Sequence, residues 1–193
     1  MGKRFDSLNA NLTKFVLRQP MFFVASAPLG AGGHVNVSPK GLAGSFAVVD
    51  PSTVAYLDLT GSGVETIAHL RDNGRVTLMF CAFEGPPMIL RAYGTGEVVM
   101  PDDPRFAELR RRFPEARKAV RSVIVVHVDE VRTSCGYGVP LMTFDGDRDD
   151  QDRWAERKGE AGVAEYWVEK NSASLDGLPG LPGLPGSPGL AAR

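Results

Sequence analysis

Cysteine, tryptophan and histidine are scarce in this chain, with two, two and three residues respectively among 193. Two cysteines, Cys81 and Cys135, are too few for a disulfide framework at this length and are not spaced as metal ligands. Reduced thiols in a reducing, cytoplasmic compartment are therefore expected, with no metal site. His34, His69 and His127 are scattered, so neither a metal-binding spacing nor a Ser-His-Asp pattern can be assembled from them. An excess of charge is also missing: 22 Lys and Arg against 23 Asp and Glu leave a net charge of -1. No whole-molecule field then draws the chain to nucleic acid or to an anionic membrane. Long apolar runs are absent as well. The longest uncharged stretch, 19–39, contains Pro20, Pro28, Gly30, Gly32, Gly33 and Asn36, which no lipid-spanning helix tolerates. The Met-Gly-Lys-Arg-Phe-Asp opening lacks the apolar run of a secretory signal. Any ligand has to be held by local chemistry.

What is present is the composition of one globular domain, 43% hydrophobic and 23% charged. Leu8, Leu12, Phe15 and Val16 recur at helical spacing after Ser7, and Pro20 stops the segment, so a helix is predicted over 7–18. Six β-prone runs are predicted as strands: 21–27, 34–38, 53–59, 75–83, 88–100 and 121–131. Ser62, Glu65, Ile67, Leu70 and the stop Asn73-Gly74 describe a short helix opened by a capping box. Pro104 opens another, through Phe113. Segments 149–158 and 163–171 read as two more. After Leu175, Gly177, Gly180, Gly183, Gly186 and Gly189 fall every third residue among Leu-Pro pairs, the composition of an extended, polyproline-II-like arm. The fold expected is mainly β: a six-stranded antiparallel barrel with peripheral helices over 1–179, followed by a Gly/Pro-rich tail over 180–193.

The segment Tyr56-Leu-Asp-Leu-Thr-Gly-Ser-Gly-Val-Glu-Thr66 carries the most chemistry. It delivers a strand, a glycine-flanked turn and the first turn of a helix, where free backbone N–H groups and the positive end of the helix dipole suit an anion. Thr60, Ser62 and Thr66 add hydroxyls, and Gly61 and Gly63 let a phosphate approach the backbone. The plain alternative is that Ser62 caps the helix and the glycines make a turn. Asn36, Ser38 and Lys40 bring polar groups to the end of a strand. Arg91 interrupts an apolar strand, where it either snorkels to a surface or meets a buried anion. The run Arg110-Arg111-Arg112 with Arg117, Lys118 and Arg121 reads as a solvated helix face. Cys135-Gly-Tyr-Gly138 is either a tight turn or a loop whose Tyr137 stacks on a planar ring.

The order of elements, with Asn36-Val-Ser-Pro-Lys-Gly41, Leu57-Asp-Leu-Thr-Gly-Ser-Gly-Val-Glu-Thr66, Asn73-Gly-Arg75, Ser134-Cys-Gly-Tyr-Gly-Val-Pro140 and Lys170-Asn-Ser-Ala-Ser-Leu-Asp-Gly-Leu-Pro179, resembles the FMN-binding split-barrel family of pyridoxamine 5'-phosphate oxidase, in particular a bacterial subgroup. The resemblance implies a flavin-dependent oxidoreductase acting on a small molecule, built as a homodimer with FMN at the subunit interface. A non-catalytic flavin carrier is the alternative, and the deazaflavin F420 or haem the alternative ligands. It implies a cofactor site at Asn36, Ser38, Lys40, Asp58, Thr60, Gly61, Ser62, Gly63 and Thr66, with the phosphate held by Lys40, Thr60, Ser62 and Thr66. It also implies a cofactor-side cation at Arg91 and contributions from Tyr137, Trp167 and Lys170. The oxidase opens its helix with Ser and two basic residues where this chain has Ser62-Gly63-Val64, and its C-terminal Arg-His pair has no counterpart here. Lys40 and Arg91 are thus expected to neutralise the phosphate. Residues 166–179 are expected to pack on the barrel, with the repeats beyond Gly180 looser.

Overall fold

The computed structural model describes residues 2–114 and 116–184. Its strands are β1 (Arg4–Phe5), β2 (Met21–Ser26), β3 (Asn36–Gly41), β4 (Phe46–Asp50), β5 (Thr53–Leu59), β6 (Arg75–Cys81), β7 (Ile89–Val99) and β8 (Val120–Ser134). All pairs are antiparallel, in the order β3-β2-β6-β7-β8-β5-β4, with β1 added to β8. The sheet curls far enough for its two ends to meet. Phe22 on β2 packs on Phe46 of β4 at 5.1 Å and on Tyr56 of β5 at 5.5 Å between ring centroids. Phe80 of β6 closes this aromatic group, 5.3 Å from Phe22 and 5.2 Å from Phe46. Since β3 and β4 are not paired with each other, the barrel is split along that seam.

The six expected strands are all present, and the sequence reading missed two. β1 has two residues, too few for any alternation to show. β4, Phe-Ala-Val-Val-Asp, lies between a glycine-rich turn and the Asp50-Pro51 corner, and its apolar run has no period of two. The opening helix is α1 (Ala10–Arg18), capped by Asn9, whose side chain accepts from the N–H groups of Asn11 and Leu12. Leu12, Phe15 and Val16 face the core, as their spacing requires.

Helix α2 (Glu65–Asn73) ends as expected at Gly74, which sits at φ 74. A Cβ there would lie 2.8 Å from Thr95 Cγ2 and in the left-handed region. Gly74→Ala is therefore expected to cost at least about 1 kcal/mol in denaturant unfolding. The helix predicted from Pro104 shrinks to α3 (Phe106–Arg110). Pro104 precedes it rather than opening it, because Asp103 first closes a turn by accepting from Arg105. Phe106, Leu109 and Phe113 then cover the outer face of β5, β7 and β8.

The last two predicted helices are the halves of α4 (Asp150–Lys170), broken at Gly159 with φ 66 and ψ 171. Trp154 and Tyr166, twelve positions apart, would be separated by about 18 Å along a straight helix. Their rings instead meet at 5.0 Å, so the second half folds back on the first. From there to residue 184 the chain is not a polyproline-like rod: Ala173 and Pro179 form a bridge around a tight loop closed by Ser174 and Leu178. Leu181 is only 1% exposed and Leu184 packs on the core beside it. Packing thus continues past the expected boundary at Pro179. Residues 185–193, the remainder of the expected tail, lie outside the described residues.

Candidate functional site

Strand register decides which predicted residues meet. Lys40 and Ser38 pair with Phe22 and Val24, both core residues, so their side chains enter the interior face of the curl. Asp58, from the other end of the sheet, enters the same space and accepts from Lys40 Nζ at 3.4 Å. Asp58 is 1% exposed and would be costly as a lone charge. Its principal partner is Arg121, which donates from Nε at 2.9 Å to one carboxylate oxygen and from Nη2 at 3.2 Å to the other. Burial opposes ionisation of Asp58, but Arg121 and then Lys40 outweigh it and hold the carboxyl below its ordinary range.

Arg121 is the residue whose role sequence reading missed. It is 3% exposed, at the start of β8, and belongs to no solvated helix face. A register shift between Asp58 and Leu59 in the β5–β8 pairing accompanies its turn toward Asp58. Its remaining donor, Nη1, reaches the carbonyls of Gly61 and Gly63 at 3.3 and 2.9 Å and Asn171 Oδ1 at 3.0 Å. Arg117, grouped with it in the sequence, pairs with Asp147 and Asp152. The readable signal was position: Arg121 directly precedes the apolar run Ser-Val-Ile-Val-Val of a buried strand.

The helix start also differs from expectation. Ser62 does not cap it; the N-cap position is Val64, no side chain among the described residues caps the helix, and the Glu65 carboxylate stays beside Gly63 and accepts from Leu175 N–H. The first-turn amides of α2 are therefore free of side-chain acceptors. Around them lies a cleft of about 280 Å³ lined by Ser38, Lys40, Asp58, Ser62, Thr66 and Arg121, among others. Gly61 has open space where a Cβ would stand, whereas at Gly63 a Cβ would meet Glu65 Oε2 at 2.5 Å. Asn36 supports the wall: it donates to Thr66 Oγ1 at 3.1 Å and accepts from Ser38 Oγ at 3.1 Å. Behind it Ser26 Oγ meets Nδ1 of the buried His69 at 3.0 Å. The partly buried Lys40 and the buried Arg121 face the Asp58 carboxylate, with Glu65 also on the cleft lining, and the positive end of the helix adds to the cationic side.

Not every expected residue joins this group. Thr60 is spent inward, its hydroxyl donating to Ala119 O at 2.7 Å and accepting from Trp167 Nε1 at 2.9 Å. Thr60 and Trp167 therefore lock α4 onto the turn and do not line the cleft. Arg91 projects from the opposite face of the sheet, because its neighbours Leu90 and Ala92 face the core, and it donates to Ser134 Oγ at 3.3 Å. The second cation at the cleft is Arg121 instead. Tyr137 is 84% exposed in the turn after β8, and Lys170 pairs with Glu169 at the surface. Neither reaches the cleft.

The chain is thus a split β-barrel protein in which a lysine and the N-terminus of a helix face one cleft. A sequence profile described as "Pyridoxamine 5'-phosphate oxidase" matches residues 8–135. The pyridoxamine 5'-phosphate oxidase family protein ustO of Aspergillus flavus is 46% identical over 192 residues, covering 91% of this chain and 76% of that protein. The chain belongs to the pyridoxamine 5'-phosphate oxidase family. A HupZ variant from Group A Streptococcus has the same fold, with a TM-score of 0.50 at 21% identity over 65% of this chain and 98% of that one.

Proposed function

We propose that the chain binds FMN, with its phosphate in the cleft between Lys40 and the start of α2, and works as a flavin-dependent oxidoreductase on a small molecule. The observation that carries this reading is the uncapped first turn of α2 facing Lys40, with the Ser62 hydroxyl free of any partner within the described residues. The donor set fits a phosphate monoester: one ammonium, one or two hydroxyls and backbone N–H groups, with a glycine leaving room for approach. Bound flavin supplies the redox chemistry. The chain's own residues bind and orient. Lys40 neutralises the phosphate, Thr66 and Ser38 are fixed by Asn36, and Asp58 with Arg121 keeps Lys40 directed inward.

Lys40→Ala is expected to weaken FMN binding by about 1.5–3 kcal/mol, the range for a hydrogen bond to a charged group. Titration of flavin fluorescence measures it, and an unchanged affinity removes Lys40 from the site. The absorbance spectrum and mass of any cofactor released from purified protein separate FMN from F420 and haem. Anaerobic mixing with NAD(P)H then separates an oxidoreductase from a flavin carrier.

A homodimer belongs to the same proposal. Tyr137, Leu141, Met142 and Phe144 are exposed on the segment between β8 and α4, a run of large apolar groups that a second copy would cover. Sedimentation equilibrium at micromolar concentration is expected to give twice the chain mass; a single-chain mass removes the dimer.

A further inference from the structure

Asn171 lies at the end of α4, 0% exposed, and uses every polar group it has. Its Oδ1 accepts from Arg121 at 3.0 Å, while its Nδ2 donates to Gly61 O at 3.0 Å and Ser62 O at 3.3 Å. Its own N–H donates to Trp167 O at 2.8 Å, and its carbonyl accepts from Leu181 N–H at 2.8 Å. One side chain therefore holds the turn before α2, and the same residue's backbone holds the C-terminal arm.

The arm is seated as tightly as the turn. A Cβ on Gly180 would stand 2.1 Å from Asn171 O and 3.0 Å from Val64 Cγ1. Arg71, on α2 itself, donates to the carbonyls of Pro179 and Gly180. Leu175 N–H holds one oxygen of the carboxylate of Glu65, a residue on the cleft lining. The arm thus touches the N-cap residue, the first turn and the second turn of the helix whose N-terminus forms the cleft, and it does so from behind.

We propose that Asn171 is a positioning residue for the anion cleft and that it couples the cleft to the docked arm, so that phosphate binding and arm docking strengthen each other. The ligand half rests on the reading of the cleft as a phosphate site; the coupling of turn to arm does not. An arm that is undocked frees Glu65 and removes the Leu181 bond from Asn171. The Gly61–Gly63 carbonyls then lose a fixed partner, and the amides of the first turn lose their aim. By linkage, whatever factor arm docking contributes to phosphate affinity, phosphate must return to arm docking.

Hydrogen exchange of the full chain, resolved into the windows 59–67, 177–184 and the central strands β7 and β8, tests this with Gly180→Ala, Asn171→Ala and Asn171→Asp. Gly180→Ala changes the arm where its Cβ would meet Asn171 O and Val64 Cγ1, and it is expected to speed exchange in 177–184 and across 59–67, including the Gly61–Gly63 turn that the new methyl does not touch, while β7 and β8 stay unchanged. Asn171→Asp keeps the acceptor for Arg121 but sets a carboxylate oxygen against the Gly61 and Ser62 carbonyls in place of the two donors, and it is expected to loosen 59–67 at least as much as Asn171→Ala does. Faster exchange confined to 177–184 in Gly180→Ala overturns the coupling, and so does a uniform rise in all windows, which is what a merely structural contribution produces. Should Asn171→Ala fail to fold, Gly180→Ala decides alone. With FMN as probe, the wild-type arm is expected to be protected, and Gly180→Ala to weaken FMN by the same factor, within the roughly 5- to 150-fold range usual for coupled sites. FMN binding without protection of the arm overturns the ligand half. A wild-type chain that binds no FMN overturns the phosphate reading, while the exchange result without ligand still decides whether Asn171 couples turn and arm.

Discussion

Arg121→Met is expected to lower the free energy of unfolding by about 3–5 kcal/mol, the cost of leaving one member of a buried ion pair uncompensated. Lys40 remains 3.4 Å from Asp58, which places the loss toward the lower end. The double variant Arg121→Met with Asp58→Asn should recover part of the loss, since it removes the stranded charge together with its partner. Acid adds a second signature. In the wild type the Asp58 pKa is depressed, so its contribution is present above the ordinary carboxylate value, roughly 3.9, and is lost as pH falls through the lower folded value. Without Arg121, burial becomes the dominant influence and raises the Asp58 pKa. The variant is then penalised at neutral pH and relieved as Asp58 protonates, so the gap from wild type narrows on acidification. Urea unfolding at neutral pH and near pH 4 measures both effects. A loss under 1 kcal/mol at neutral pH, or a gap that widens in acid, would contradict this account of the pair.

The second large effect is expected at the other end of the chain. Leu181→Ala removes a side chain that is 1% exposed and embedded in the main core with Val64 and Ile67. Large-to-small substitutions of buried leucine cost about 2–5 kcal/mol. If the arm releases as a unit, the loss is capped at its docking energy, and the change shows as local protease sensitivity after residue 174. A thermal midpoint within a degree of wild type, together with unchanged proteolysis, would mean that Leu181 anchors nothing.

These two residues mark where sequence reading ran out. The strands of the curl were legible because Val54, Tyr56, Leu78, Leu90, Ile124 and Val126 repeat with the period of a pleated sheet between turn residues. The turn from β5 into α2 was legible from glycine and hydroxyl residues after a strand. Its true electrostatics were not. Arg121 and Asp58 are 63 positions apart, and only the β5–β8 register brings them together. The same parity argument that admits Lys40 sends Arg91 to the opposite face, which no local pattern discloses. Ser62 and Glu65 matched a capping box in spacing, but Leu175 N–H claims the carboxylate. Leu181 sits in a repetitive Gly-Leu-Pro context whose composition suggests a loose chain, and burial there depends on a helix that doubles back at Gly159.

The open seam has a bearing on how copies of this chain avoid one another. An exposed sheet edge is a template for another strand, the geometry from which fibrils grow. Here one edge is β3, whose centre holds Pro39, a residue with no N–H to offer, beside Lys40. The other is β4, five residues long and irregular between Val48 and Asp50. Both templates are blunted, so growth by edge-to-edge strand addition is disfavoured.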